Sequence, residues 1–327
     1  MSLARPGVAV LAVATALSLA ACSGAADTGG AAAQDGGEAG GGDGGTRTVT
    51  SPFTGEEVEI PTDPERVVAL WRTGVVLADL GVEPVAALEG ELLPSELQPE
   101  VYEPLAGVPT VGTWEGVDIE ELIAADPDLI IGMDNGGLTM NYDEISQVAP
   151  TVILDIAEPP DVWANYPTVA DLVGRTTDFD ERDAALSEDL TAIADDHDLE
   201  GLEVTAFSAS DGSIWVSTAK SLNYARLDAA GFGYNEDYVD DPERYVTELS
   251  AENIADLADQ DAIFYEVDID GSVPPDVQSV LDMESFQQLP AAQAGHVFPL
   301  TSGVVYTFDA AQQQVADLRA AAEELSS

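Results

Sequence analysis

Cations are scarce in this chain: 10 Lys and Arg stand against 62 Asp and Glu, for a formal net charge of -52. That balance excludes nucleic acid as a partner, because neutralising phosphates takes a basic face. An anionic lipid surface repels such a body as well. A uniformly acidic exterior suits a salty or otherwise demanding medium, where hydrated carboxylates keep a protein in solution. Histidine is nearly as rare, with only His197 and His296, far apart in sequence. A bare transition-metal site draws on several nitrogen or sulfur ligands, so direct capture of zinc, manganese or naked iron is not expected. His296, at the start of a strand, reads as structural. Haem would ask for an axial His, Tyr, Cys or Met, and the tyrosines keep that open. Also missing are a Walker sequence, a G-x-S-x-G elbow and an H-E-x-x-H pair, and the glycine clusters before Thr46 follow no strand. Cysteine is scarcest of all. Cys22 stands alone, so the chain has no pair to form an internal disulfide.

Cys22 lies in an apolar run, Pro6 to Gly24, that begins beside Arg5. A short positive start, an apolar stretch and small residues at the cut form a secretory signal. The run is too short for a comfortable membrane span, which needs roughly 20 apolar residues. Leu19-Ala20-Ala21-Cys22 resembles a bacterial lipobox, in which the cysteine thiol is lipidated and becomes the new N-terminus. Residues 1–22 are therefore expected to be a lipoprotein signal peptide. Residues 23–46 are almost entirely Gly, Ala and acid, with nothing to seed a core, and are expected to act as a flexible tether. About 280 residues remain, enough for one large domain or two ordinary ones.

That remainder alternates strands and helices in two rounds. Arg66–Leu70, Pro84–Leu88, Val108–Val111, Leu129–Ile131 and Thr151–Leu154 read as short buried strands, with helices at 74–80, 118–125 and 142–148 between them. Alternation of this kind predicts a parallel sheet with helices on its faces. A long helix over 178–198 follows, with Leu186, Leu190 and Ile193 on one face and Asp178…Glu181 as a capping box. Roughly 20 residues at 1.5 Å each make a rod of about 30 Å. The second round has strands at 203–207, 213–216, 262–265 and 295–299 and helices at 222–230, 251–257, 277–281 and 310–325. The expected architecture is α/β: an N-terminal lobe over 47–177, the connecting helix, and a C-terminal lobe over 199–327.

In order along the chain, PERVVAL (64–70), LGVEPVA (80–86), VGTWEGVDIEELIAADPDLIIG (111–132), YDEISQVAPTVIL (142–154), LSAENIADLADQDAIFYE (249–266) and FQQLPAAQAGHVFPL (286–300) resemble the bacterial ABC-transporter substrate-binding proteins of the siderophore, haem and cobalamin group. The resemblance spans the whole folded region. It implies two Rossmann-like lobes joined by one rigid helix, with a ligand cleft between them, and a monomer with no intrinsic cofactor. It also implies an extracytoplasmic, lipid-anchored position and partnership with a permease and its ATPase. The permease-docking glutamates of that group fall on Glu120 and Glu252, each near a helix start, where the dipole favours a carboxylate. Such glutamates are also common as plain solvated charges.

In an α/β lobe, ligands sit at the carboxyl ends of the strands. Those ends offer Trp71, Arg72, Glu89, Trp114, Met133 and Asp134 in the first lobe, and Ser208, Trp215, Tyr224, Tyr265 and Tyr306 in the second. The rings would make the amphipathic wall a bulky chelate needs. Against several basic residues in catecholate binders stand Arg72 and, as additions, Arg226 and Arg244, so the expected cargo is a ferric siderophore of hydroxamate type. Haem or a corrinoid is the alternative within the group. An extracytoplasmic enzyme on an α/β scaffold is the alternative outside it, since fold alone does not set function.

Overall fold

The computed structural model describes residues 45–94, 96–301 and 306–327. Cys22, the signal segment and the tether up to residue 44 lie outside the described residues. The end of the expected tether is already ordered. Thr46 opens the strand Thr46–Thr50, which pairs antiparallel with Glu57–Pro61. This hairpin is fixed to the body by Ser51, whose hydroxyl donates to Ile153 O (3.1 Å) and lies 2.9 Å from Ile153 N.

The N-terminal lobe is built on a parallel sheet in the order Ala86–Ala87, Val67–Ala69, Leu129–Asp134, Thr151–Asp155. Its two central strands are buried along their whole length, as expected of a sheet covered on both faces. The expected strand at 108–111 is reduced to one bridge, Ala87 to Thr110. The chain then turns through a tight hairpin, Gly112–Thr113 against Gly116–Val117.

The C-terminal lobe is built on a mixed sheet. Its order is Val246–Leu249, Ser213–Ser217, Val204–Ser210, Ala262–Val267, Val297–Thr301. The first three strands are antiparallel and the last two join in parallel. The antiparallel half arises at Asp211-Gly212, both at positive φ (52° and 78°), the backbone that a two-residue hairpin demands.

The connecting helix is Thr176–Asp196, 21 residues, and buries Phe179, Leu186, Leu190 and Ile193. The capping box does not form. The helix begins two residues earlier than expected, its N-cap Arg175 makes no side-chain cap, and Asp178 contacts Arg175 at 3.8 Å instead. Beside this rod lie the helix Asp161–Leu172 and the C-terminal helix Phe308–Leu325. Where the three meet, Trp163, Tyr166, Phe179 and Phe308 pack ring on ring, with centroids 5.0–5.8 Å apart. Asp79 is buried against this cluster. Its carboxylate accepts from the Tyr166 hydroxyl, from Phe308 N (2.7 Å) and from Arg182 Nη2 (2.9 Å). A single side chain thus ties the first helix of the N-terminal lobe, Gly74–Asp79, to the rod and to the start of the C-terminal helix. Among the described residues no helix is long and apolar enough to cross a membrane.

Candidate functional site

The site begins where the strands of the N-terminal lobe stop. Beyond Val67–Ala69 the chain runs Leu70-Trp71-Arg72 into the helix Gly74–Asp79. Arg72 sits at φ 65°, a left-handed backbone that costs a non-glycine residue energy and recurs at binding sites. Its guanidinium lies 5.4 Å from the Trp71 ring centroid, and neither is fully buried. The hydroxyl of Thr73 beside them is buried within hydrogen-bond reach of Leu70 O (2.9 Å) and Ile131 O (3.0 Å), which fixes the turn.

Beyond Ala86–Ala87 the chain carries Glu89 and Glu91 into the same space. Glu91 is 8% exposed, and its Oε2 accepts from Thr73 N and Gly74 N, each at 3.1 Å. The approach depends on glycine, since a Cβ on Gly74 would fall 2.6 Å from the Glu91 carbonyl oxygen. Burial pushes the Glu91 carboxyl up to about 7, against the opposing pull of the backbone N–H groups and of Arg72. Burial raises Glu96 as well. Trp114, 60% exposed, stands at the turn of the hairpin after Thr113. Trp71, Arg72, Glu89, Glu91, Glu96, Trp114 and Tyr306 line a cavity of about 270 Å³.

A second cavity, of about 410 Å³, is walled mainly by the C-terminal lobe and shares Tyr306 with the first. Tyr306 is buried, and burial raises its phenol far above the usual range, so it is a neutral hydroxyl. The two cavities form one cleft between the lobes, with Tyr306 on the wall of both. Trp215 lines the far side, its indole N–H donating to Ser210 Oγ at 3.1 Å. Ser208, Ser217, Ser221 and Asn223 supply small polar groups, and Glu266, Arg244 and Tyr245 supply larger ones. Arg244 Nε and Tyr245 N donate to the carboxylate of Glu158, at 3.3 and 3.0 Å, across from the N-terminal lobe.

Of the residues expected at the cleft, Trp71, Arg72, Glu89, Trp114, Ser208, Trp215 and Tyr306 come together there. Met133 does not. It is 1% exposed and packs in the core, because it lies inside a strand covered on both faces and not past its end. Asp134 is turned to Tyr142 Oη (2.6 Å) and Gly136 N (2.7 Å), where it closes a loop. Tyr224 stands edge-on to Tyr234, with centroids 5.2 Å apart, away from the cavity. Tyr265 misses by one residue. Side chains alternate along a strand, so Tyr265 packs on the lobe core and Glu266 takes the cleft. Arg226 is buried below the cleft over the Trp163 ring (4.8 Å), donating to Gln314, and burial lowers it to about 10. Arg244, by contrast, does reach the cleft.

Glu120 and Glu252 are both exposed. Glu120 is in the first turn of the helix Ile119–Ala124, capped by Asp118, which accepts from its N–H at 2.9 Å. Glu252 is in the first turn of a 3₁₀ helix, Ala251–Leu257, on the other lobe. Glu91, Glu96, Asn223, Tyr245 and Glu266 were not foreseen. Glu91 and Glu96 carry no periodic signal, and a reading that followed the chain a few residues past each strand end would have reached Glu91 from Ala87.

The profile of the periplasmic binding protein family matches residues 71–303. YhfQ of Bacillus subtilis (strain 168), to which the role of ABC transporter substrate-binding lipoprotein is provisionally ascribed, is 24% identical over 264 residues, 76% of this chain and 79% of the relative. The crystallised siderophore periplasmic binding protein from the fuscachelin gene cluster of Thermobifida fusca is 25% identical. It superposes with a TM-score of 0.71 over 81% of this chain and 98% of that one. The petrobactin-binding protein YclQ of Bacillus subtilis, 18% identical, superposes at 0.64 over 84% of this chain and 99% of that one, a likeness of fold.

Proposed function

The chain belongs to the periplasmic binding protein family, and from that membership we propose that it is the extracytoplasmic substrate-binding component of an ABC importer. It captures a ferric siderophore between its lobes and delivers it to the permease. One observation carries this reading: three of the four tryptophans, Trp71, Trp114 and Trp215, stand on the walls of a cleft floored by Tyr306 and edged by Arg72 and Arg244. Broad aromatic faces suit the apolar periphery of a chelate. The two guanidiniums can donate to its oxygens. The T. fusca protein, named for a siderophore gene cluster, supports the same cargo class. We read the protein as a binder and not a catalyst.

Charge points to the hydroxamate class. The cleft gathers Arg72 and Arg244 against Glu89, Glu91, Glu96 and Glu266, inside a body of net charge -52. A trianionic iron tris-catecholate meets repulsion there, most strongly at low salt, whereas iron-loaded hydroxamates are neutral or cationic. Titrating the protein with iron-loaded hydroxamate, catecholate and carboxylate siderophores, with tryptophan fluorescence as readout, should give tightest quenching by a hydroxamate. Tightest binding to a catecholate, persisting at low salt, overturns the class.

We assign the anchor to Cys22. Cys22→Ser should leave the protein soluble outside the cell or trapped unprocessed, because each buried methylene of a lipid chain contributes about 0.8 kcal/mol. Membrane fractionation reads this directly. If the Cys22→Ser protein is processed normally and stays with the membrane, the assignment of the anchor to Cys22 fails.

A further inference from the structure

A chain of side-chain hydrogen bonds runs from a buried cation to the cleft wall. Arg226, on the helix Leu222–Ala229, is 4% exposed. Its guanidinium lies over the Trp163 ring and donates through Nη1 to Gln314 Oε1, while Nη2 has no hydrogen-bond partner among the described residues. Gln314, buried on the C-terminal helix, donates through Nε2 to Thr301 O and to Asn223 Oδ1 (3.0 Å). Asn223, buried on the same helix as Arg226, donates in turn through Nδ2 to Ser217 Oγ (3.2 Å) and to Glu266 Oε1 (2.7 Å). Asn223 and Glu266 both line the cleft. The ends dictate the sense of this chain. A guanidinium only donates, and a carboxylate or a backbone carbonyl only accepts, so each amide has one orientation that satisfies both of its neighbours. The outcome is a buried charge bridged through two amides to a carboxylate on the cleft wall, with each bond polarising the next. Packing alone does not call for this, since apolar side chains of similar volume would fill the space without burying a charge.

We propose that Gln314 is a positioning residue of this cleft. With Arg226 behind it and Asn223 ahead of it, Gln314 holds the Glu266 carboxylate in one orientation on the cleft wall, where Glu266 accepts hydrogen bonds from N–H groups of the captured chelate. This rests on the reading of the cleft as a ferric hydroxamate site. Ser208, Ser217, Ser221 and the Trp215 ring line the same cavity, so a ligand amide or ammonium that reaches this side meets one fixed, charged acceptor among small hydroxyls. A hydrogen bond to a charged group is stronger than one between neutral groups, and it weakens steeply once misaligned. Turning the carboxylate off its axis therefore loses affinity even when every side chain on the cleft wall is still present. The same orientation turns away a ligand that brings only acceptor oxygens to this wall.

The experiment is a double-mutant cycle read by tryptophan quenching with ferrioxamine B, a linear trihydroxamate that carries amide N–H groups and an ammonium. Gln314→Glu keeps the size of the side chain and gives Arg226 a carboxylate, but it can no longer donate. Asn223 then turns its Nδ2 toward the new carboxylate, which sets Oδ1 against Glu266. Binding should weaken by about tenfold, as for the loss of one hydrogen bond to a charged group. In a Glu266→Gln background, itself a weaker binder, the same change should cost less than about twofold, because the amide at position 266 meets either face of Asn223 and no charge remains to be aimed. Gln314→Met, which breaks the chain without adding charge, should show the same dependence on the residue at 266 and carries the test if Gln314→Glu does not fold. A merely structural role would lower the melting temperature in both backgrounds alike and leave no coupling in affinity. Equal losses of affinity in the two backgrounds, or no loss in either, overturn the positioning role while leaving the siderophore reading intact. Failure of ferrioxamine B to quench wild type overturns the hydroxamate reading and this proposal with it.

Discussion

Replacing Asp79 by Ala is expected to lower the free energy of unfolding by about 3–5 kcal/mol, the range seen when one partner of a buried ionic network is removed. The Asp79 side chain is 3% exposed, so the groups it satisfies are shut off from water. Its loss strands the buried Tyr166 hydroxyl and the buried N–H of Phe308, each at a desolvation cost of about 1–3 kcal/mol. Arg182 keeps a weaker ion pair with Asp309 at 3.6 Å and its bond to the Asp79 carbonyl at 2.6 Å, which caps the total. Asp79→Asn retains one acceptor oxygen and should cost less. Urea denaturation followed by tryptophan emission measures this, because Trp163 is 5.0 Å from Phe308 in the same cluster. Asp79→Ala combined with Arg182→Ala should cost less than the sum of the two, since the second change removes a charge already left without its main partner. A loss under about 1 kcal/mol for Asp79→Ala means that water reaches these groups, and the tie between lobe, rod and C-terminal helix is then not ionic.

The features legible in the sequence are those with a period. Leu186, Leu190 and Ile193 recur at helical spacing and fall on the buried face of Thr176–Asp196. The apolar runs at 67–69, 129–131 and 151–154 are strands buried throughout. What escaped was punctuation. The helix Asp161–Leu172 follows Pro159-Pro160 and contains Pro167. Proline reads as a breaker because it removes one backbone donor and crowds the preceding turn. Here the packing of Val162, Tyr166, Val169 and Ala170 into the core outweighs that loss. Asp211-Gly212 is the opposite case, a dipeptide suited to a two-residue hairpin that a reading of alternating strands and helices passes over. It turned half of the second sheet antiparallel. At the cleft, rings on or beside strands were found and Glu266 sits inside a strand, whereas Glu89, Glu91 and Glu96 sit on loops. There, contacts such as those from Thr73 and Gly74 to Glu91 are set by tertiary approach and leave no trace in residue spacing.

Reversing the charge at both Glu120 and Glu252 should reduce uptake of the iron chelate by more than tenfold while ligand affinity stays within about twofold of wild type. Both carboxylates are exposed in the first turn of a helix, one on each lobe, and neither lines the cleft. The proposed docking sets each against a basic group of the permease. Close interfacial charge pairs couple by about 1.5–7 kcal/mol, and like charges across an interface cost several kcal/mol more. Alanine at both sites should therefore impair uptake, and lysine at both should nearly abolish it. A merely solvated glutamate at a helix start gains only about 0.3–1 kcal/mol from the dipole. The two readings separate cleanly: loss of dipole stabilisation lowers the melting temperature, whereas loss of docking lowers uptake with melting unchanged. One further residue sharpens the test. Ile123 is 59% exposed three positions after Glu120, on the same side of the helix. An apolar side chain in that position would be covered when Glu120 docks, so Ile123→Ser should lower uptake in the Glu120 background less than it does alone. Normal uptake by the double lysine variant, at normal protein levels and with ligand binding intact, would return Glu120 and Glu252 to the ranks of ordinary surface carboxylates.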